Sequence, residues 1–451
     1  MQRRPGNAHA ASPRGMTALV LACVLMAGLG ARGGAGDGGP PAVTRHFLSG
    51  NGNDWEPSLA VVGDGRIVVL ADRYVAPDSG TPAGRGESEA VTWMSSDGGA
   101  TFGPAHVYRN GGNDSRIMGD SAGTLFASWI GIVWDSAWAV DMRRGGLVLA
   151  TSHDHGVTWT TTIAATMASG VADKPELAVS PNGRDVYIAF MARGTLDVVA
   201  SHDGGATWER HTADSTLTGH WPSGIALAPD GTLYVADARR GGARGDSVLS
   251  VDLRLLRSAD GGVTWAATRV ARATRGRDVR ACVHGATCPV QIPYLSVAVD
   301  SLGRVYAVYA AGAAGHTYPL ELIRSEDGGV TWSYPEVLSA ARRRASGDEA
   351  DHYYPMIAAT GDGLVYVVWF DDRQGPPAVY ATRSSDGGAH WSADVELSRP
   401  GGLTGIYGEY GGLGIDARGM LHVTWAEGVG HVGAPGAHGG TWYARWTGRA
   451  P

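Results

Sequence analysis

Charged and aromatic side chains recur where extended segments of this sequence end, and they are the residue types best suited to chemistry. Three loops place an aspartate within two residues of an arginine, at 72–73, 237–239 and 371–373. Aromatic rings stack on the apolar C–H faces of sugars, while guanidinium and carboxylate groups hydrogen-bond hydroxyls or pair with an acidic sugar. The pattern therefore predicts a glycan site; alternatively, the Asp and Arg side chains form repeated salt bridges that order the loops. The candidate binding residues are Arg73, Arg239, Arg373, Trp55 and Tyr354.

An eight-residue segment of the form Ser-x-Asp-x-Gly-x-x-Trp or Phe recurs six times along the chain. The copies cover residues 95–102, 152–159, 201–208, 258–265, 325–332 and 384–391. Each copy lies between two short extended runs, so each is predicted to form a hairpin turn. In such a turn the Asp carboxylate accepts hydrogen bonds from backbone N–H groups, and the glycines supply positive φ. The repeated aspartates are therefore predicted to be structural: Asp97, Asp154, Asp203, Asp260, Asp327 and Asp386.

With six copies of this turn, the sequence resembles the Asp-box, or bacterial neuraminidase repeat, proteins, best known from the sialidases. In that family the boxes join the third and fourth strands of propeller blades. The resemblance thus implies an all-β propeller of four-stranded antiparallel blades. A repeat of this kind must stack on its neighbours to bury its apolar face.

The number of blades is predicted from a second repeat, in which two extended runs joined by a tight Gly turn come before each box. This pattern begins seven times against six boxes, and the last unit has neither a box nor a fourth strand. The segment 44–49 resembles the fourth strands at 336–339 and 395–398. We expect seven blades, with the N-terminal strand pairing beside 442–446 to close the ring and remove open sheet edges. A six-bladed ring, as in the sialidases, is the alternative.

The resemblance also implies a catalytic set on the face opposite the boxes. Sialidases hold the substrate carboxylate with three arginines, use a tyrosine activated by a glutamate as nucleophile, and use an aspartate as acid/base. These roles would fall to Arg73, Arg239 and Arg373 for the carboxylate, Tyr410 with Glu409 for the nucleophile pair, and Asp72 or Asp120 for the acid. The Arg-Ile-Pro motif that carries the first sialidase arginine is replaced in this chain by Trp55-Glu56-Pro57. Two functions follow: an exo-sialidase-type glycoside hydrolase, or a non-catalytic propeller that binds glycans or protein partners.

The N-terminal segment and the composition predict an exported protein. Arginines, an apolar stretch over 16–29 and a small-residue run are typical of a secretory signal peptide and leader over residues 1–36. Residues 37–451 are then one propeller domain; a lipoprotein cleavage site at Cys23 is the alternative for the N-terminal segment. No later apolar run approaches the ~20 residues of a membrane span.

The charge and the resemblance together define the expected partners. A formal net charge of -7 over 451 residues gives no electrostatic footprint for nucleic acid. We expect a monomer that needs no cofactor and whose partner is a glycan or glycoconjugate.

Two cysteines follow the N-terminal segment, Cys282 and Cys288. In an exported chain an even pair predicts a disulfide, and so short a loop would stabilise the fold by roughly 2 kcal/mol on the chain-entropy model. A metal site that adds His284 to the two cysteines is the alternative. No fourth ligand at metal spacing is apparent, and so no metal is predicted.

Overall fold

The computed structural model describes residues 43–50, 52–75, 87–108, 112–131, 145–166, 172–217, 219–241, 248–276, 294–312, 319–339, 350–429 and 438–448. All of them belong to one compact unit, residues 41–451. These ranges consist of strands, turns and loops, and none contains a helix long and apolar enough to cross a membrane.

The described residues form 28 strands, which pair into seven four-stranded antiparallel sheets. Six of the sheets each take four consecutive strands, which run in order from the innermost to the outermost. Blade 1 is β2 (Asp54–Val61), β3 (Ile67–Val75), β4 (Glu87–Ser95) and β5 (His106–Tyr108); blade 2 is β6 (Asn113–Gly119), β7 (Leu125–Gly131), β8 (Gly146–Ser152) and β9 (Thr160–Thr166); blade 3 is β10 (Ala172–Val179), β11 (Val186–Ala192), β12 (Thr195–Ser201) and β13 (Glu209–Asp214). Blade 4 is β14 (Pro222–Leu227), β15 (Leu233–Gly241), β16 (Val248–Ser258) and β17 (Ala266–Gly276); blade 5 is β18 (Tyr294–Val299), β19 (Val305–Ala310), β20 (Leu320–Ser325) and β21 (Glu336–Ser339); blade 6 is β22 (His352–Ala359), β23 (Val365–Asp371), β24 (Ala378–Ser384) and β25 (Val395–Glu396).

The seventh blade joins the two ends of the described chain. It consists of β26 (Ile406–Ile415), β27 (Leu421–Val429), β28 (His438–Trp446) and, outermost, the N-terminal strand β1 (Val43–Phe47). The register runs from Val43 opposite Trp446 to Phe47 opposite Trp442. The inner strands of neighbouring blades contact one another around the full circle, β26 against β2 included. The predicted seven-bladed ring closed by an N-terminal strand is therefore confirmed, and the six-bladed alternative is wrong.

The core lies between the faces of neighbouring blades. Between blades 5 and 6, for example, Tyr306 and Val308 of β19 pack with Val367 and Trp369 of β23, and all four are buried. Such strands are covered on both faces, which explains why they are rich in β-branched and aromatic residues without polar alternation.

The boxes form the turns between third and fourth strands at one end of the ring, which we call the box face. In the last copy, Ser384 Oγ donates to Asp386 Oδ1 at 2.8 Å and accepts the Gly388 N–H at 2.8 Å. The His390 side chain and N–H, followed by the Ser384 hydroxyl, hold the pKa of Asp386 well below its usual range. The same two serine hydrogen bonds recur in the boxes of Asp97, Asp154, Asp203, Asp260 and Asp327.

Candidate functional site

The inner strands begin at the end of the ring opposite the boxes, which we call the upper face, and most of them begin irregularly. A bulge interrupts the pairing of β2, β6, β10, β14, β22 and β26. At four of these bulges a non-glycine residue has left-handed φ: Glu56 (46°), Asp114 (58°), Lys174 (54°) and Tyr354 (45°). Such conformations are uncommon, a following proline restricts three of them further, and they cluster at functional sites. The bulges therefore indicate that a functional site lies on the upper face.

Three carboxyl groups from three successive blades meet at Asp114, which also binds one ammonium group. We call Glu56, Asp114, Asp173 and Lys174 the Lys174 cluster. Lys174 Nζ lies 3.1 Å from Asp114 Oδ1, and the carboxyl group of Asp114 also hydrogen-bonds with those of Glu56 and Asp173. Glu56, Asp114 and Lys174 are buried, whereas Asp173 is half-buried. Asp173 is thus the carboxyl group of the cluster that solvent or a ligand reaches most easily.

The two aspartates of the cluster have pKa values shifted in opposite directions. Burial raises the pKa of Asp173 to about 6, and the charge of Asp114 acts in the same direction. Burial also opposes ionisation of Asp114. The Lys174 ammonium and the other neighbouring groups together have a larger effect than burial, and they hold the pKa of Asp114 below its usual value. Neighbouring carboxyl groups with diverging pKa values are the arrangement that acid/base chemistry uses. Asp173 can therefore carry a proton near neutral pH while Asp114 is ionised.

An indole ring forms the apolar wall of the cluster. Lys174 Nζ lies 4.6 Å from the centroid of the Trp221 ring, and Arg240 Cζ lies 4.7 Å from it. Both cations are close enough for cation–π attraction. The backbone N–H of Trp221 donates to Asp237 Oδ1 at 3.1 Å, which fixes the start of β14.

The inner strands of all seven blades enclose a cavity of about 210 Å³ next to the cluster. Arg116 and Glu176 line this cavity, and each lies two residues after a member of the cluster. They form a bidentate ion pair, with Nη2 to Oε1 at 2.8 Å and Nε to Oε2 at 3.1 Å. Tyr354 also lines it and packs edge-on against Tyr294, with ring centroids 5.4 Å apart. This ion pair and these aromatic rings give the cavity hydrogen-bonding groups together with apolar surface.

The three arginines predicted to hold a substrate carboxylate are each bound by carboxylates of their own blade. The pairs are Arg73 with Asp54, Arg239 with Asp252, and Arg373 with Asp371 and Asp394. The Arg73 pair has two short contacts, Nε to Oδ1 at 2.6 Å and Nη2 to Oδ2 at 2.9 Å. The alternative left by the sequence, a salt bridge between the Asp and the Arg of each loop, is confirmed only for Asp371 with Arg373. Arg73 and Arg239 pair instead with carboxylates of the neighbouring strands. A role for these arginines in substrate binding stays a prediction.

Asp72, predicted as the acid, is buried between blades 1 and 2. Its carboxyl group accepts the Ser115 N–H at 3.1 Å and also bonds the Ser115 hydroxyl. Burial raises the pKa of Asp72 to about 8 despite these donors. Asp120, the alternative acid, was expected on the upper face, and that placement is wrong. Its Oδ1 accepts the Thr124 N–H at 2.8 Å in the β6–β7 turn, which lies on the box face.

The remaining sequence candidates are only partly described. Glu409 and Tyr410 belong to β26, within the stretch between Ile406 and Gly411 where its pairing is interrupted, and their side chains lie outside the described residues. Their roles stay predictions. Trp55 is half-buried, and its indole Nε1 has no hydrogen-bond partner among the described residues.

The cysteine pair and the metal question fall largely outside what the structure describes. Cys282 and Cys288 lie in the undescribed range 277–293, so their disulfide stays a prediction. Within the described ranges, no set of three or more His, Cys, Asp or Glu side chains is arranged to hold a metal ion.

Sequence reasoning did not single out Asp114, although it is the centre of the Lys174 cluster. The signal that could have found it is positional: the residue at the left-handed bulge precedes a proline in Glu56-Pro57, Lys174-Pro175 and Tyr354-Pro355. Blade 2 has Ser115 in place of the proline, so the dipeptide pattern is broken there.

The fold and the repeated boxes define an Asp-box β-propeller, and sequence comparison agrees. The family model described as a BNR repeat-like domain matches residues 117–367, more than half of the 451-residue chain, and the chain belongs to that family. No curated protein matches the chain in sequence.

Several solved structures are similar in fold. A protein of unknown function from Dyadobacter fermentans is 16% identical with a TM-score of 0.50, over 90% of this chain and 99% of that one. The NanB sialidase from Streptococcus pneumoniae is 14% identical with a TM-score of 0.43, over 89% of this chain and 70% of that one. An α-L-arabinofuranosidase from Fusarium graminearum is 14% identical with a TM-score of 0.44, over 74% of this chain and 93% of that one.

Proposed function

We propose that the protein binds a neutral, hydroxyl-rich glycan at the upper face and cleaves a glycosidic bond there, with Asp173 as the proton donor. The observation that supports this most directly is the Lys174 cluster. It combines a half-buried carboxyl group of raised pKa, Asp173, with an ionised neighbour, Asp114, at the end of a central channel.

The charge of the cluster favours a neutral sugar over an acidic one. The cluster contains three carboxyl groups and one ammonium group, and Trp55 stands at the position that carries the first arginine in the sialidase motif. Carboxylates accept hydrogen bonds from sugar hydroxyls but repel a sugar carboxylate. The arginines that would offset this repulsion, Arg73, Arg239 and Arg373, already bind carboxylates. An exo-sialidase-type reaction is therefore the less favoured form of the proposal.

The chemistry assigns a task to each aspartate. As the glycosidic C–O bond breaks, the leaving oxygen takes the Asp173 proton, and the anomeric carbon bonds to the Tyr410 oxygen, whose proton passes to Glu409. Water then displaces Tyr410: its hydroxyl group goes to the sugar, its proton goes to Asp173, and Glu409 returns the phenol proton. The ionised Asp114 stabilises the positive charge that develops on the sugar ring. Tyr410 with Glu409, in the interrupted part of β26, are the proposed nucleophile pair.

Glycan binding without bond cleavage is the second candidate, and one observation favours it. The carboxyl groups of Asp114 and Asp173 share a hydrogen bond. In glycosidases that use two carboxyl groups the pair is about 5 Å apart or more, which leaves room for the sugar or a water molecule. A binding protein would use the same cluster to accept hydrogen bonds from hydroxyl groups.

A glycan array and a panel of fluorogenic glycosides distinguish these functions. The panel should contain neutral pyranosides and furanosides together with a sialoside. We expect binding and turnover of a neutral glycan and no turnover of the sialoside. Array binding without turnover of any glycoside supports a glycan-binding protein that is not an enzyme. Turnover of the sialoside alone contradicts a neutral substrate. No binding and no turnover in either assay contradicts the glycan proposal.

Export and a monomeric state belong to the proposal as well. Export is supported by the sequence of residues 1–36, and its test is to locate the full chain by cell fractionation. Light scattering on the purified protein tests the monomer. A cytoplasmic protein or a stable oligomer would contradict these parts of the proposal without bearing on the Lys174 cluster.

A further inference from the structure

A second pocket lies on the upper face at the seventh blade, where the first strand meets the last. Its volume is about 450 Å³. Its lining comes from the end of β1, the segment before β26, the end of β27 and the start of β28. Its principal side chains are Phe47, Arg399, Thr404, Glu427, His438 and Trp442. None of these belongs to the Lys174 cluster or to the central cavity.

The floor of this pocket is aromatic. Phe47 of β1 and Trp442 of β28 line it and face each other in register, and Trp442 is opposite the buried Trp425 of β27. The two indoles are stacked at 6.4 Å with an interplanar angle of 7°, and the Phe47 ring lies 5.1 Å from that of Trp442. Phe47 is 47% exposed, an unusual degree for a phenylalanine at a blade end. A Cβ at Gly440 would lie 2.5 Å from Phe47 Cε2, so the ring takes this position because position 440 is a glycine.

The polar wall of the pocket is the carboxylate of Glu427, whose two oxygens differ in their hydrogen bonds. Glu427 Oε1 accepts the Thr404 N–H at 3.0 Å, the Thr404 hydroxyl at 3.1 Å and the Arg399 guanidinium. Oε2 of the same group has no hydrogen-bond partner among the described residues, although Glu427 is only 7% exposed. A buried carboxylate oxygen requires a donor. A ligand hydroxyl group in the pocket would supply one.

We propose that this pocket is a second saccharide subsite. It binds one sugar ring and is separate from the Lys174 cluster. The apolar face of the ring packs on Phe47 and Trp442, and its hydroxyl groups reach Glu427 and Arg399. The ion pair of Glu427 with Arg399 cancels their charges, so a neutral sugar fits better than an ionised one. The choice of a saccharide as ligand rests on the proposed function, whereas the pocket itself is independent of the chemistry at Asp173.

The test is calorimetric titration with the neutral oligosaccharide that the wild-type protein binds best on a glycan array. Phe47→Leu keeps an apolar side chain on β1 and removes the flat ring, and Phe47→Ala removes the side chain. Val337→Ala is the matched control, because Val337 is similarly exposed, at 51%, on blade 5. We expect both Phe47 variants to raise Kd about five- to tenfold, the size of an aromatic contact, and the control to leave it unchanged. A wild-type Kd in folded Phe47→Leu protein would overturn the inference.

Turnover separates this inference from the proposed function. A fluorogenic monosaccharide is too short to need the second subsite, so Phe47→Leu should leave its kcat/KM unchanged. If Asp173→Asn also leaves that turnover unchanged while the Phe47 variants weaken oligosaccharide binding, the proposed function fails and the second subsite stands. If the wild-type protein binds no oligosaccharide at all, the inference fails with it.

Discussion

Lys174 Nζ lies 3.1 Å from Asp114 Oδ1, although the two residues are 60 positions apart and belong to different blades. Both residues have left-handed backbone conformations and both are buried. The contact therefore joins two strained strand starts across the boundary between blades 2 and 3. It also sets the charge of Asp114, and through it the protonation of Asp173.

Removing the Lys174 charge should destabilise the fold strongly. Lys174→Met leaves Asp114 buried beside two other carboxyl groups, and we expect a loss of about 3–5 kcal/mol in the free energy of unfolding. Urea denaturation measures this loss. Adding Asp114→Asn should recover part of it, because the uncompensated charge is then removed. A loss in Lys174→Met as small as that of a surface substitution would show that solvent screens the pair.

Asp72 should make the fold less stable as pH rises. Its pKa is about 8 in the folded protein against an ordinary value of 3.8, so the folded state keeps a proton that the unfolded state loses. The stabilisation is complete below about pH 4, decreases as pH rises towards about 8, and is constant above that. Asp72→Asn stays neutral at every pH. Denaturation midpoints measured from pH 4 to pH 9 should fall less in the variant than in the wild type, and parallel curves would contradict the raised pKa.

The box aspartates should affect stability and not function. Asp386→Ala removes the acceptor for the Ser384 hydroxyl and the His390 N–H on the box face. We expect the Tm to fall by several degrees, with unchanged glycan affinity and turnover per folded molecule. Glu209→Ala, which removes an exposed carboxylate of β13, is the control and should leave the Tm near that of the wild type. Lost binding with an unchanged Tm would contradict a structural role.

Local sequence signals predicted the fold well, because each box is a self-contained turn. The bonds within a box join residues no more than four positions apart, such as Ser384 to Asp386 and Gly388. The closing strand was also predictable, since the missing fourth strand of the last blade and the spare strand at residues 44–49 complement each other.

The site was less predictable, because its contacts join different blades. The pairing of Asp114 with Lys174 depends on bulge geometry that no local pattern encodes. The partner of Arg73 is different: Asp54 lies directly opposite it in the β2–β3 register, so strand pairing alone indicates that salt bridge. Its residue type suggested that the Arg73 guanidinium is free to bind substrate. The strand register suggests instead that it is paired with a carboxylate of its own blade.

The pH dependence of turnover should report the proton on Asp173. A proton donor acts in its protonated form, and the pKa of Asp173 is about 6. On the preferred neutral glycoside, kcat/KM should therefore be highest on the acidic side and fall about tenfold per pH unit above pH 6. The Lys174→Arg variant keeps the positive charge and should retain this profile. A value of kcat/KM that rises through pH 6 would assign Asp173 the role of a base.

The most direct measurement of the central claim is turnover and binding of one neutral glycan by Asp173→Asn, beside the matched variant Asp64→Asn. Asp64 is an aspartate in the β2–β3 turn on the box face, bonded to Arg66. We predict that Asp173→Asn lowers kcat by about 10²–10⁴-fold with little change in Kd, and that Asp64→Asn changes neither. Wild-type turnover in folded Asp173→Asn protein would contradict the assignment of the site to the Lys174 cluster.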